Sequence, residues 1–243
     1  MLAMIKSLSV VKSKADRPFQ FAWLQYLSRD SKNTVIGLVR TPPPVEERLA
    51  KEGISNVHIL HGDMSDYQSL TAAASLASSI LPDGALDIII NNGYTAMNET
   101  LLTPPSGFAS QPHLLNKDMH ASLDVNVIGV VNFINTFLPL ILRGQAKKIV
   151  VISTGGADPD MAVAMGITFQ FTMWVMKAAL NMVVAKFAAE LKTQDVKVLA
   201  LSPSIAATAE APRKWIIVLT RTACILISDY SIYGGDKILR ELA

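Results

Sequence analysis

The sequence predicts a single doubly wound α/β domain, a parallel sheet with helices on both faces. Three observations predict it. Short β-prone runs alternate with longer helical segments along the chain, the pattern of strands joined by helical crossovers. Several of the runs are apolar throughout rather than alternating, as strands buried on both faces are. Half of the 243 residues are hydrophobic and only 17% are charged, which gives a sizeable core and argues against disorder.

The elements follow in order. SLSVV is a candidate first strand and FAWLQYLSRD the helix after it; NTVIGLVR is an apolar second strand. PVEERLAKEG is a short helix that stops on Gly53, since glycine favours the helix end. NVHIL is a strand that holds His58, and SDYQSLTAAASLASSI a helix capped by Ser65 or Asp66. ALDIIINN is a central strand. Residues 94–113 read as loop because Pro104, Pro105 and Pro112 interrupt any helix. One long helix is expected over about 115–142, where Leu123, Val127, Val130, Ile134, Phe137 and Leu138 recur at spacings of three and four. KKIVVIS is a strand, 168–192 a second long helix and VKVLALS a further strand. With right-handed crossovers these strands form one sheet, and no linker divides the chain.

Bulk properties exclude several functions. A net charge of +2 and the lack of a Lys/Arg block argue against nucleic acid. One cysteine, Cys224, permits neither an internal disulfide nor a cysteine-based zinc site, and the four histidines lack metal-ligand spacing. The run WIIVLTRTACILIS (215–228) is interrupted by Arg221 and falls short of the roughly 20 residues that span a bilayer. No membrane association is expected. The N-terminus is basic and serine-containing; this has some transit-peptide character, but a first strand with a polar exit is the simpler reading. The expected location is cytoplasmic, with an organelle as the alternative.

Seven stretches, in order and at family spacing, resemble the short-chain dehydrogenase/reductase family, in particular its fungal-type members: TVIGLVR, GDMSD, LDIIINNG, DVNVIGVVNFINTFLPLI, IVVIST, KAALNMVVAKFAAEL and LALSPS. The likeness runs from about 21 to 208; residues 1–20 and 213–243 diverge. It implies a Rossmann-type domain that exchanges hydride between a nicotinamide dinucleotide and a carbonyl or alcohol of a small to medium apolar molecule. Secondary metabolism is the implied setting, and homo-oligomers through the two long helices the implied assembly.

The resemblance also assigns residues. Arg40 at the end of the second strand, with no acid before Glu46, favours NADP(H), because an arginine there accommodates a 2′-phosphate. Asp63 matches the aspartate that meets the adenine, and Asn92 belongs to the turn that borders the cofactor. Pro203 and Thr208 match positions beside the cofactor amide, although Ser204 stands where glycine is usual. Catalysis would fall to Asn126, Thr154 with Ser153 beside it, and Lys177, which also holds the cofactor ribose; Asn126 would position the lysine through water.

Two departures stand out. No glycine precedes Gly37, so the glycine turn that cradles pyrophosphate is replaced by KSKADRPFQ, where Lys12, Lys14 and Arg17 offer charge without a cradle. Met173 occupies the place of the proton-donating tyrosine, four residues before Lys177, and a thioether has no proton to give. Tyr94, which stands where the family has glycine in a turn that can require positive φ unless one residue is deleted here, is set aside as a substitute. The alternative to an active enzyme is therefore an impaired relative that binds or scaffolds through its helices.

Overall fold

The structure is a computed structural model that describes residues 7–10 and 18–202. Six strands form one sheet: β1 (Ser7–Val10), β2 (Val35–Val39), β3 (Val57–His61), β4 (Ile88–Asn91), β5 (Lys148–Ile152) and β6 (Lys197–Leu201). Their order is β3-β2-β1-β4-β5-β6 and every pairing is parallel. This is the doubly wound order whose direction reverses between β1 and β4, where such sheets open a crevice at the strands' carboxyl ends.

Seven α-helices are described: α1 (Pro18–Leu27), α2 (Pro42–Lys51), α3 (Tyr67–Ile80), α4 (Pro112–Leu123), α5 (Gly129–Arg143), α6 (Pro159–Met165) and α7 (Phe171–Leu191). Local chemistry sets their ends. Asp66 caps α3 by accepting from the N–H groups of Gln68 and Ser69, which answers the choice between Ser65 and Asp66. After α2 the chain turns through Gly53 at φ 69°, a left-handed conformation that glycine enters at little cost.

One face of the sheet packs against α3, α5 and α7 through Leu70, Phe133, Phe137, Leu180 and Val184; the other packs against α1 and α2 through Phe21, Leu24, Leu27, Val45 and Leu49. Val130, Phe133, Ile134, Phe137 and Ile141 are completely buried along α5; burial of one such side chain is worth about 1.5–3 kcal/mol. Pro112–Arg143 and Phe171–Gln194 are long and apolar enough, by length and composition, to cross a membrane. In this fold part of that apolar surface packs on the sheet, and part, including Ile128 and Met182, is exposed.

One expected helix is corrected. The single helix over 115–142 is two, α4 and α5, joined by a π-turn at Asp124–Ile128 that contains Asn126. Wide turns of this kind are frequent at functional sites. Gly129 follows it, and a Cβ there would sit 2.3 Å from the Met64 carbonyl oxygen, so the backbone approaches the β3–α3 loop as only glycine allows. The second long helix, expected over 168–192, is α7, and a short helix, α6, precedes it. Loop 94–113 is as expected up to a 3-10 turn at Pro105–Ser110, but α4 begins inside it, at Pro112, because proline is tolerated in the first turn of a helix.

Candidate active site

The carboxyl ends of β4, β5 and β6 deliver three segments to one edge of the sheet: Asn92–Thr95, Ser153–Thr154 and Ser202. The π-turn and the first half of α7 flank them. Lys177 sits two turns into α7, buried, and its Nζ donates to the Ile152 carbonyl oxygen at 2.6 Å. No carboxylate pairs with it among the described residues. Burial therefore lowers its pKa from the ordinary 10.5 to about 8. The ammonium also lies 5.7 Å from the centre of the Tyr94 ring, within the range of a cation–π contact.

Asn126 projects from the π-turn and grips the strand exit. Its Nδ2 donates to the Thr95 carbonyl oxygen and its Oδ1 accepts from the Thr95 N–H, both at 2.8 Å. A buried asparagine in an apolar helix needs such partners. The amide thus positions the loop that carries Tyr94, and not Lys177 directly. Asn126 holds Thr95, the residue after Tyr94, while Lys177 meets the Tyr94 ring on one side and the Ile152 carbonyl, next to Ser153 and Thr154, on the other.

The two hydroxyls next to Ile152 differ. Ser153 is buried and donates to Asn181 Oδ1 at 2.6 Å, one turn beyond Lys177. Thr154 is half-buried, and its hydroxyl accepts from the Gly156 N–H at 3.3 Å. Ser202 accepts from the Gly155 N–H at 2.9 Å and so ties β6 to the same turn. Met173 lies half-buried on α7, one turn before Lys177.

On the nucleotide side, Arg40 is exposed at the end of β2, where its carbonyl accepts from His61 Nδ1 at 3.1 Å. Asp63 is half-buried and accepts at Oδ1 from both the N–H and the hydroxyl of Ser65. Asn92 is buried at the exit of β4. Its neighbour Asn91 is buried too, and Asn91 Oδ1 has no hydrogen-bond partner among the described residues. A buried cation held by a backbone carbonyl, with no carboxylate partner among the described residues, fits a polar ligand with hydroxyl groups. A dinucleotide has these, and Arg40, Asp63, Asn92 and Lys177 would hold it. Lys12, Lys14, Arg17, Pro203, Ser204, Thr208 and the divergent 213–243 segment lie outside the described residues.

Comparison with known proteins agrees with this geometry. The family model for short chain dehydrogenase matches residues 24–215. The short-chain dehydrogenase/reductase atnB of Arthrinium sp is 35% identical over 189 residues, which cover 78% of this chain and 71% of that one. The chain belongs to the short-chain dehydrogenase/reductase family. The family consists of oxidoreductases that work with a nicotinamide cofactor. AacuF of Aspergillus aculeatus, another short-chain dehydrogenase/reductase, is 36% identical over 77% of this chain and 70% of its own. Among solved structures, an NADPH-bound carbonyl reductase from chicken fatty liver superimposes with a TM-score of 0.66 at 22% identity, over 83% of this chain and 77% of that one. That likeness confirms the fold.

Several residues of the site escaped sequence reading. Asn181 carried a signal, since it is an amide in an apolar helix four residues after Lys177. Asp118 carried less. It is buried on α4 and accepts from the hydroxyls of Thr100 and Ser122 and from the Met97 N–H, contacts that bind loop 94–104 to α4. Gln170 gave no signal. It opens α7 at φ 57° and donates its N–H to the Leu101 carbonyl at 2.7 Å. Tyr94, set aside on sequence grounds, has its ring centre 5.7 Å from Lys177 Nζ. The glycine it replaces is not needed for conformation, as neither Gly93 nor Tyr94 has positive φ.

Proposed function

We propose that the protein is an NADP(H)-dependent oxidoreductase acting on a carbonyl or alcohol of a small to medium apolar molecule. The observation that carries this reading is the burial of Lys177 against the Ile152 carbonyl, at the edge of the sheet where β4, β5 and β6 end. When bound, the cofactor supplies or takes the hydride. Lys177 would hold its ribose hydroxyls, Asp63 its adenine and Arg40 its 2′-phosphate. Thr154 is better disposed than Ser153 to hold the substrate oxygen, because the Ser153 hydroxyl is engaged by Asn181.

Apolar side chains near the turn that carries Thr154 support an apolar substrate. Met161, Val163, Met165 and Phe169 are exposed between β5 and α7, and a Cβ on Gly155 would lie 3.0 Å from Met161 Sδ. Leu123 and Ile128 before α5, and Val175 and Met182 on α7, are also exposed. They support association of two copies through these helices. A cytoplasmic location, a role in secondary metabolism and independence of nucleic acid and membrane belong to the same reading.

NADPH fluorescence titration tests it. Saturable binding, with Lys177→Ala binding more weakly, is the expected result. Absence of binding by the wild-type chain favours the other reading, a scaffolding relative, for which Met173 in place of a proton donor is the specific observation.

A further inference from the structure

We propose that Tyr94 is the proton donor of this site, a tyrosine supplied from the exit of β4 in place of the one that α7 lacks. The inference rests on the oxidoreductase reading above.

The chemistry sets the requirement. Reduction of a carbonyl adds hydride to carbon and a proton to oxygen. Positioned proton transfer contributes about 10²–10⁴ in rate, and Met173 cannot provide it. The donor has to lie near Lys177, whose ammonium can balance the phenolate left behind. Tyr94 is the tyrosine the structure places there, with its ring centre 5.7 Å from Lys177 Nζ. Among the other described tyrosines, Tyr26 ends α1 beside Arg29, and Tyr67 is exposed at the start of α3.

The position of Tyr94 is also fixed. The next residue, Thr95, is held by both ends of the Asn126 amide. Further along, Asp118 holds Met97 and Thr100, and Gln170 holds Leu101. Three anchors, from the π-turn, α4 and the head of α7, thus fasten one loop around the lysine. A catalytic group needs this kind of support, since misplacement by about 1 Å can cost 10²-fold. Tyr94 is itself half-buried, so its ring is packed without being sealed from the crevice.

The step balances. With a reduced nicotinamide dinucleotide as hydride source, the substrate C=O π bond opens as its carbon gains hydride. The Tyr94 O–H bond breaks and the alcohol O–H bond forms. The phenolate is neutralised electrostatically by Lys177 and regains a proton from water.

The test is Tyr94→Phe, which keeps the ring and removes only the hydroxyl. NADPH binding is followed by fluorescence titration, and turnover by NADPH consumption over a panel of aldehydes and apolar ketones. The expected result is unchanged NADPH affinity with kcat lowered by about 10²–10⁴, and recovery of turnover in the double variant Tyr94→Phe/Met173→Tyr. Unaltered kcat in the single variant overturns the proposal, as does a joint loss of affinity and rate, which would make Tyr94 a positioning residue. A wild-type chain that binds NADPH yet turns over only after Met173→Tyr overturns Tyr94 as donor but leaves the oxidoreductase reading standing. A wild-type chain that binds no NADPH overturns both.

Discussion

The two flanks of the site handle buried polarity in opposite ways. On the α4–α5 flank each buried group is answered. Asn126 is bonded at both ends of its amide, and Asp118 accepts from three donors. On the α7 flank the groups are left partly unanswered. Lys177 has a single carbonyl acceptor and no counter-ion, and the buried Thr172 hydroxyl has no partner among the described residues. A satisfied buried network rigidifies the structure, while an unsatisfied group costs stability and persists where it has work to do. The first flank therefore holds the loop, and the second is kept ready for a ligand.

The largest way to break this contrast is to open the satisfied flank. Asp118→Ala strands the Ser122 hydroxyl and the Met97 N–H, while Thr100 keeps the Met97 carbonyl, and should lower unfolding free energy by roughly 4 kcal/mol, measured by urea denaturation. A loss below about 1 kcal/mol would show that water replaces the carboxylate without penalty, and the contrast would fail.

The next effect has the opposite sign. Because burial holds Lys177 at about 8 rather than 10.5, the folded chain releases that proton before the unfolded chain does. Below pH 8 both states carry it and the buried charge is a burden. Between these two values only the unfolded state binds the proton, so stability rises with pH by about 3 kcal/mol. Lys177→Met should remove this rise and make the protein more stable than wild type at neutral pH, as urea melts across the range would record. Lys148 is also lowered, by burial and then by the charge of Lys197. It is present in both proteins, so the difference between the two curves isolates Lys177.

The smallest effect sharpens the contrast. Thr172→Val keeps the shape and removes the unpartnered hydroxyl, and should leave stability unchanged or raise it by about 1 kcal/mol. A loss of that size in thermal or urea melts would reveal a partner for Oγ1 and move Thr172 to the satisfied flank.

Much of the fold was legible because its signals are local. Each strand run of apolar residues became a strand, and Asp66 and Gly53 marked helix ends by their own side-chain chemistry. The break between α4 and α5 was hidden. The three- and four-residue spacing continues through it, and an extra residue in one turn shifts the periodicity too little to notice beside six matching positions. Within the site, Lys177, Asn126 and Thr154 were picked out through the resemblance to the family, whose motifs keep their order along the chain. The bonds of Ser153 with Asn181 and of Asp118 with Thr100 were not, since each joins residues distant in sequence or across a loop of no regular pattern.

By itself, then, the sequence determined the strand and helix order, the polar residues at strand ends and the absence of a tyrosine on α7. These follow from side-chain type and periodicity, which act within a few residues. Only the tertiary structure decided that Asn126 grips Thr95, that Lys177 is buried with no counter-ion among the described residues and that the Tyr94 ring stands beside it. Those outcomes depend on which segments the parallel sheet gathers at one edge, and on the desolvation that follows. Neither quantity is carried by any single stretch of chain.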